Sequence, residues 1–337
     1  MIKAVFLGRE VNIKNVYDEA SRTRIRAICE LPDTVITKEN IASYKKEAAE
    51  AEYAFSTWGM DAYTVEEIRA CFPSLRALFY AAGTVKNFAR PFLEAGVRIF
   101  SAWGANAIPV VEYTVSQIIL ANKGFFNACR LYSASGANHP AAREASRVFR
   151  GNYGAKIGLL GLGMIGAEVA RRLTRDYTFE VLAFDPFCSA EKAAALGVRP
   201  TSLEEIFSAC DVISNHLADK EEITGIISRP LLTSMKKTVT FINTGRGRQL
   251  DEEALADAME ARPLSAALLD VTYPHEPVAE GSRLYSLPNI YLTPHIAGSA
   301  GDEVHRMALY MAEECEKVAK NEAPRWEVSL PMLATMA

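Results

Sequence analysis

Arg246, Glu276 and His295 differ in chemical type, yet each stands in the loop after an apolar run of strand length. Arg246 follows TVTFINTG, Glu276 follows SAALLDVTYPH and His295 follows NIYLTP. An arginine can grip a carboxylate in fork geometry and polarise a neighbouring carbonyl. A histidine can give or take a hydroxyl proton, and a carboxylate paired with it would orient the ring. With a hydride carrier added, the three could reduce a 2-oxo acid to a 2-hydroxy acid. Each alone has a blander reading, as a surface cation or an ordinary loop residue, so the set carries the argument. The stretch DVTYPHEPV complicates it, because His275 directly adjoins Glu276. Neighbouring side chains in an extended loop point apart. One of the two is therefore expected in a site and the other beside it.

A hydride carrier has its own signature in GLGMIG, which supplies Gly161, Gly163 and Gly166 around Met164 and Ile165. Three glycines at these offsets are weak evidence alone. Here an apolar strand precedes them, a helical stretch follows, and Asp185 lies at the end of the next strand. That context fits a dinucleotide fingerprint. Gly161 permits the turn, Gly163 lets backbone approach a pyrophosphate, and Gly166 lets helix and strand pack closely. The pyrophosphate would sit on the helix N-terminus. Asp185 would accept from the ribose hydroxyls and repel a 2′-phosphate, so NAD is expected rather than NADP. A Rossmann-like domain without its cofactor is the competing reading.

These residues need a frame. AKIGLLGL, FEVLAFD, DVISNHL, TVTFINT, SAALLDV and NIYLTPH read as strands. Helical segments such as RPLLTSMKK and LDEEALADAMEA lie between several of them. TSLEEIFSAC opens on a capping box from Ser202 to Glu205. Unbroken apolar strands alternating with helices imply a parallel sheet covered on both faces. The first hundred residues repeat the theme with IKAVFLG, EYAFST, LRALFYAAG and GVRIFSA as strands and TVEEIRACF as a helix. A helical pattern over about 107–133 joins the halves, with Pro109 in its first turn, and SASGANHPAAREASR reads as irregular. An amphipathic helix over about 301–322 follows the last strand. The expected layout is two Rossmann-like α/β domains. An NAD-binding domain over 107–298 is inserted into a substrate domain of 1–106 plus 299–337, with the site in the cleft between them.

Composition narrows the function classes. A net charge of −4 leaves no basic surplus for nucleic acid or an anionic membrane. The densest basic stretch, Arg143 to Arg150, reads as a solvated helix face. Six scattered cysteines show no zinc spacing, and no metal site is expected. The N-terminal run reads as a strand and not a signal peptide, so the expected location is a reducing cytoplasm.

The motifs GLLGLGMIG, FINTGRG with LDEEAL, AALLDVTYPHEP and LPNIYLTPHIAGSA resemble the D-isomer-specific 2-hydroxyacid dehydrogenase family. SAWGANAIPVVEYTV resembles that family's segment entering its interdomain helix, and the likeness covers roughly 75–315. The resemblance implies Arg246 as the substrate-binding arginine, Glu276 before Pro277 as the carboxylate, and His295 as the acid/base. It implies Asp270 near the nicotinamide carboxamide, with Leu217, Ala218, Thr244 and Gly245 as cofactor contacts. It further implies D stereochemistry, a small 2-oxo or 2-hydroxy acid as the partner molecule, and a homodimer. At this length no regulatory C-terminal domain of the phosphoglycerate dehydrogenase kind is expected.

Three departures from the pattern stand out. The segment between Asp270 and Glu276 is one residue longer than in many members. The first-domain loop reads AAGTVKNFA, where Gly83, Thr84 and Val85 could present amides to a substrate carboxylate and Lys86 replaces an acid. Tyr80 and Trp103 either shape the substrate pocket or are core aromatics. Two further readings stay open: an NAD(H)-sensing corepressor-type binding protein, and a dehydrogenase for a phosphorylated hydroxyacid using Lys86, Arg90 and Arg248.

Overall fold

A computed structural model of the chain describes residues 1–134 and 138–334. The backbone divides into two compact units, one of residues 1–108 with 299 onward, the other of residues 109–298. Six strands of the first unit come from its N-terminal segment: β1 (Ile2–Leu7), β2 (Cys29–Glu30), β3 (Val35–Ile36), β4 (Tyr53–Ser56), β5 (Ala77–Tyr80) and β6 (Arg98–Ser101). The second unit holds β7 (Lys156–Leu160), β8 (Glu180–Phe184), β9 (Arg199–Pro200), β10 (Val212–Asn215), β11 (Thr240–Asn243), β12 (Ala266–Leu269) and β13 (Ile290–Leu292). The C-terminal segment returns β14 (Glu327–Val328) to the first sheet, antiparallel to β6.

In the first sheet the order is β14-β6-β5-β4-β1-β2, with β3 also on β1. Successive residues of β1 enter opposite cores. Ala4 and Phe6 pack with Tyr17, Met307 and Met311, whereas Val5 and Leu7 pack with Ile68 and Phe92. That alternation is the period of two expected of a strand buried on both faces. Phe55, Phe79 and Phe100 stack across β4, β5 and β6 with centroids 5.1 and 4.9 Å apart.

The second sheet runs β13-β12-β11-β10-β7-β8-β9, all parallel. Its order reverses at β7, between β8 and β10, which is the switch point where doubly wound sheets bind ligands. Ile213 and Phe241 enter one core and Val212 and Ile242 the other.

Three local readings need correction. The pattern over 107–133 is two helices, Trp103–Asn122 and Phe125–Ala134, separated at Gly124, whose φ of +65° suits glycine. Pro109 lies inside the first of them and not in its first turn. SASGANHPAAREASR is not irregular throughout, because His139–Arg147 is helical with a proline in its first turn, while residues 135–137 lie outside the described residues. The capping box at Ser202 forms by half. Its hydroxyl accepts from Glu205 N, but the Glu205 carboxylate turns to Thr201 and Arg199.

Among the described residues no helix is long and apolar enough to cross a membrane, and no group of acidic, histidine and cysteine side chains could hold a metal ion.

Candidate active site

Strand register sets the second unit's rim. Pairing aligns Leu160, Asn215, Asn243, Leu269 and Leu292 across β7, β10, β11, β12 and β13. The next residue of each strand, Gly161, His216, Thr244, Asp270 and Thr293, therefore lines the carboxyl edge. The sequence-predicted site residues of this unit leave from that edge, Asp185 among them, because Phe184 of β8 pairs with Leu160.

The glycine loop fits a dinucleotide. Gly161 has φ +91°, and a Cβ there would lie 2.7 Å from the His216 carbonyl oxygen. A Cβ on Gly166 would collide with the Gly161 oxygen, so helix and loop could not approach as they do. Gly163 faces open space, with no atom of the described residues within 4 Å of an added Cβ. It is also the N-cap of the helix Met164–Asp176 and has no side chain to cap it. The amides of Met164, Ile165 and Gly166 thus have no partner within the helix, as an anion site requires. Asp185 is fixed at both oxygens, one accepting from Leu162 N at 2.7 Å and the other from Phe187 N at 2.8 Å.

A buried amide network holds the Arg246 loop. Asn215 Nδ2 donates to Asn243 Oδ1 at 3.0 Å and to Gln249 Oε1 at 3.3 Å. Asn243 in turn accepts from Gly245 N and donates to Arg246 O, both at 3.1 Å. Gln249 Nε2 donates to Ala218 O at 2.9 Å, and Leu217 N donates to Asn215 Oδ1 at 3.2 Å. All three amide side chains are fully buried. Gly245 sits where a Cβ would press to 3.0 Å from Asn215 O, so no larger residue fits without a shift. The amides of Leu217 and Gly245 are spent within this network, and the Thr244 hydroxyl bonds to Thr114 at 3.1 Å. Arg246 itself donates to Gly245 O at 2.8 Å and makes no ion pair among the described residues. A partly buried guanidinium without a carboxylate partner is free to take one from a ligand.

The His295 loop is built differently. His295 Nδ1 and Glu276 Oε1 are 2.7 Å apart, both side chains about half exposed. The His295 backbone has φ +57°, a left-handed conformation that L-residues rarely adopt. Asp270, only 3% exposed, holds the loop in place. One oxygen accepts from Thr293 Oγ1 at 2.7 Å and from Ile296 N at 2.8 Å, and the other accepts from Ala297 N at 2.9 Å. The carboxylate expected beside a nicotinamide thus brackets the histidine from both sides of the chain.

His275 is exposed and its ring has no bond among the described residues, whereas its carbonyl accepts from Thr272 Oγ1 at 2.6 Å. The structure brings Glu276 to the histidine and leaves His275 outside. A pocket of about 110 Å³ is lined by Arg246, Arg248, Asp219, Thr272, Tyr273 and Glu276. Arg248 faces Asp219 and Glu221 at 3.5 Å and lies over the Tyr273 ring.

In the first unit, the amides of Gly83, Thr84 and Val85 donate to no acceptor among the described residues, while Ser101 Oγ fixes the loop through Ala82 O at 2.9 Å and Gly83 O at 2.5 Å. Tyr80 is buried against Phe88, and burial pushes its hydroxyl up to about 12. Trp103 packs edge-on against Trp326. Tyr80 is a core aromatic, and Trp103 is partly buried against the same core. Arg90 pairs with Glu94 at 3.6 Å.

Sequence reasoning missed Asn215, Asn243, Gln249, Thr293 and His216. The signal was present for the two asparagines, which end otherwise apolar strands at the carboxyl edge. His216 bonds through Nε2 to Ser214 Oγ at 2.9 Å, and burial lowers its pKa to about 4.

The profile of the D-isomer specific 2-hydroxyacid dehydrogenase NAD binding domain matches residues 118–297. D-3-phosphoglycerate dehydrogenase of Archaeoglobus fulgidus is 32% identical over 240 residues, 71% of this chain and 44% of that protein. The Bacillus subtilis enzyme of the same name is 30% identical over 241 residues, 71% of this chain and 44% of that protein. The chain therefore aligns to less than half the length of these relatives. D-mandelate dehydrogenase of Rhodotorula graminis superposes with a TM-score of 0.79 over 98% of each chain at 18% identity, a likeness of fold. The matched profile covers more than half of the sequence and includes every residue of the rim described above, so the chain belongs to the D-isomer-specific 2-hydroxyacid dehydrogenase family.

Proposed function

We propose that the chain is an NAD-dependent oxidoreductase that interconverts a 2-oxo acid and a D-2-hydroxy acid. The His295–Glu276 bond of 2.7 Å, on the same rim as an arginine without an ion-pair partner among the described residues, carries the reading. Bound nicotinamide supplies the hydride. Arg246 binds the substrate carboxylate and polarises the carbonyl. Glu276 accepts from Nδ1 and fixes the ring, leaving Nε2 to protonate the alkoxide as it forms. Asp185 favours NAD over NADP, since a 2′-phosphate would meet a fixed carboxylate. A homodimer is the proposed assembly. Exposed Leu120, Phe125, Tyr132, Val148 and Tyr153 on and after the helices of 103–147 supply apolar surface, and light scattering on the purified chain tests it.

Turnover decides the main reading. NADH oxidation is followed with glyoxylate, hydroxypyruvate, pyruvate, phenylpyruvate, a branched-chain oxo acid and phosphohydroxypyruvate. His295→Ala is expected to lower kcat by about 10³-fold, and Arg246→Ala to lower kcat/KM by about 10³-fold. NADH binding without turnover of any acid would overturn the reading in favour of a sensor.

A further inference from the structure

Tyr113 and Thr114 are adjacent on the helix Trp103–Asn122, so their side chains leave it about 100° apart. Each reaches a different loop of the rim. Thr114 Oγ1, fully buried, bonds to Thr244 Oγ1 at 3.1 Å, two residues before Arg246. Tyr113 donates its hydroxyl to Thr293 Oγ1 at 3.3 Å, two residues before His295. Thr293 passes the chain on, donating at 2.7 Å to the Asp270 oxygen that also accepts Ile296 N. The arginine loop and the histidine loop thus each have one side-chain tie to the same rigid element, from neighbouring residues.

We propose that Tyr113 and Thr114 are positioning residues that hold the Arg246 loop and the His295 loop in register. The proposal rests on the roles given to Arg246 and His295 above. A helix of 20 residues is stiff over the one-residue spacing concerned, so the two ties set the loops' separation without a direct bond between them. Thr244 is 8% exposed, which keeps water from competing for its tie to Thr114.

The two ties are separable by mild variants. Thr114→Val keeps the shape and removes the hydroxyl; Thr114→Ser keeps the hydroxyl; Tyr113→Phe removes the other tie; and Ser116→Ala, whose hydroxyl bonds within its own helix, serves as control. Hydrogen exchange of the native chain reads the loops without any substrate. Thr114→Val is expected to speed exchange over 244–249 by about 10-fold and leave 293–297 unchanged, and Tyr113→Phe to do the reverse, each losing one hydrogen bond. With the best acid of the panel, Thr114→Val should raise KM about 10-fold and lower kcat by a smaller factor, since Arg246 both binds the carboxylate and polarises the carbonyl, with Thr114→Ser restoring both. Tyr113→Phe should lower kcat about 10-fold at nearly constant KM. Unchanged exchange in both loops overturns the proposal, as do unchanged kinetics in an enzyme that turns over. Shifted exchange with a wild type that reduces none of the acids supports the ties and overturns the proposed function instead.

Discussion

The loop after β11 and the loop after β13 leave neighbouring parts of one sheet edge, yet they solve the same problem with different chemistry. Around Arg246, three neutral amide side chains form a closed network and the backbone is ordinary, with φ −140°. Around His295, one buried carboxylate accepts three bonds and the backbone is in the left-handed region. The arginine loop must present a charge without neutralising it, so the groups that shape it carry none. The histidine loop must force one residue out of its preferred conformation, and charge-assisted bonds on both flanks are strong enough to do so.

That contrast predicts unequal costs. Asp270→Ala strands the buried amide of Ala297, the partly buried amide of Ile296 and the Thr293 hydroxyl, and bonds to a charged acceptor are the costly ones to lose. Destabilisation of about 4 kcal/mol is expected. Asn243→Ala removes neutral bonds from a network that keeps two other members, and about 2 kcal/mol is expected. Urea unfolding of the two variants measures both. Equal costs would mean that the carboxylate does no more than an amide, and the contrast would collapse.

The division between what the sequence conveys and what it hides follows the range of the contacts. Strand ends place Arg246, Asp270 and His295 on one edge, because parallel strands with short loops leave their carboxyl ends together. The glycine loop is legible for the same local reason. Asn215 bonds to residues 28 and 34 positions away, and Thr114 and Tyr113 to residues 130 and 180 away, which no local pattern announces. The helix His139–Arg147 was hidden by the glycine and asparagine before it and by Pro140 in its first turn, residues that punctuate loops but here surround a helix start. Asp270 was singled out through the family resemblance. Its use as the anchor of the histidine loop appears only once Ile296 and Ala297 are seen to turn back towards it.

A pH experiment sharpens the contrast from the arginine side. His216, at the end of β10 beside the amide network, has a pKa lowered from 6.5 to about 4 by burial. Its folded form stays neutral while the unfolded chain binds a proton below 6.5. Stability from this group is therefore full above the unfolded value and is lost as pH falls from about 6.5 towards 4. Between pH 7 and pH 5 the expected loss is about 2 kcal/mol. In His216→Asn that part of the slope should vanish, which urea midpoints at the two pH values would show. An identical slope in variant and wild type would assign the pH dependence to other groups.

The smallest expected effect is the most direct test of strain. Glycine adopts φ +57° as readily as its mirror image, so His295→Gly relieves the backbone while adding freedom to the unfolded chain. The bond lost to Glu276 is half exposed and contributes little. The net change in stability is expected within about 0.5 kcal/mol of zero. Arg246→Gly puts the same residue into a backbone that needs no relief, and about 1 kcal/mol of destabilisation is expected. Both variants should be inactive, so melting curves and not rates distinguish them. If His295→Gly costs as much as Arg246→Gly, the left-handed turn stores no strain. Asp270 would then anchor a conformation the loop already prefers.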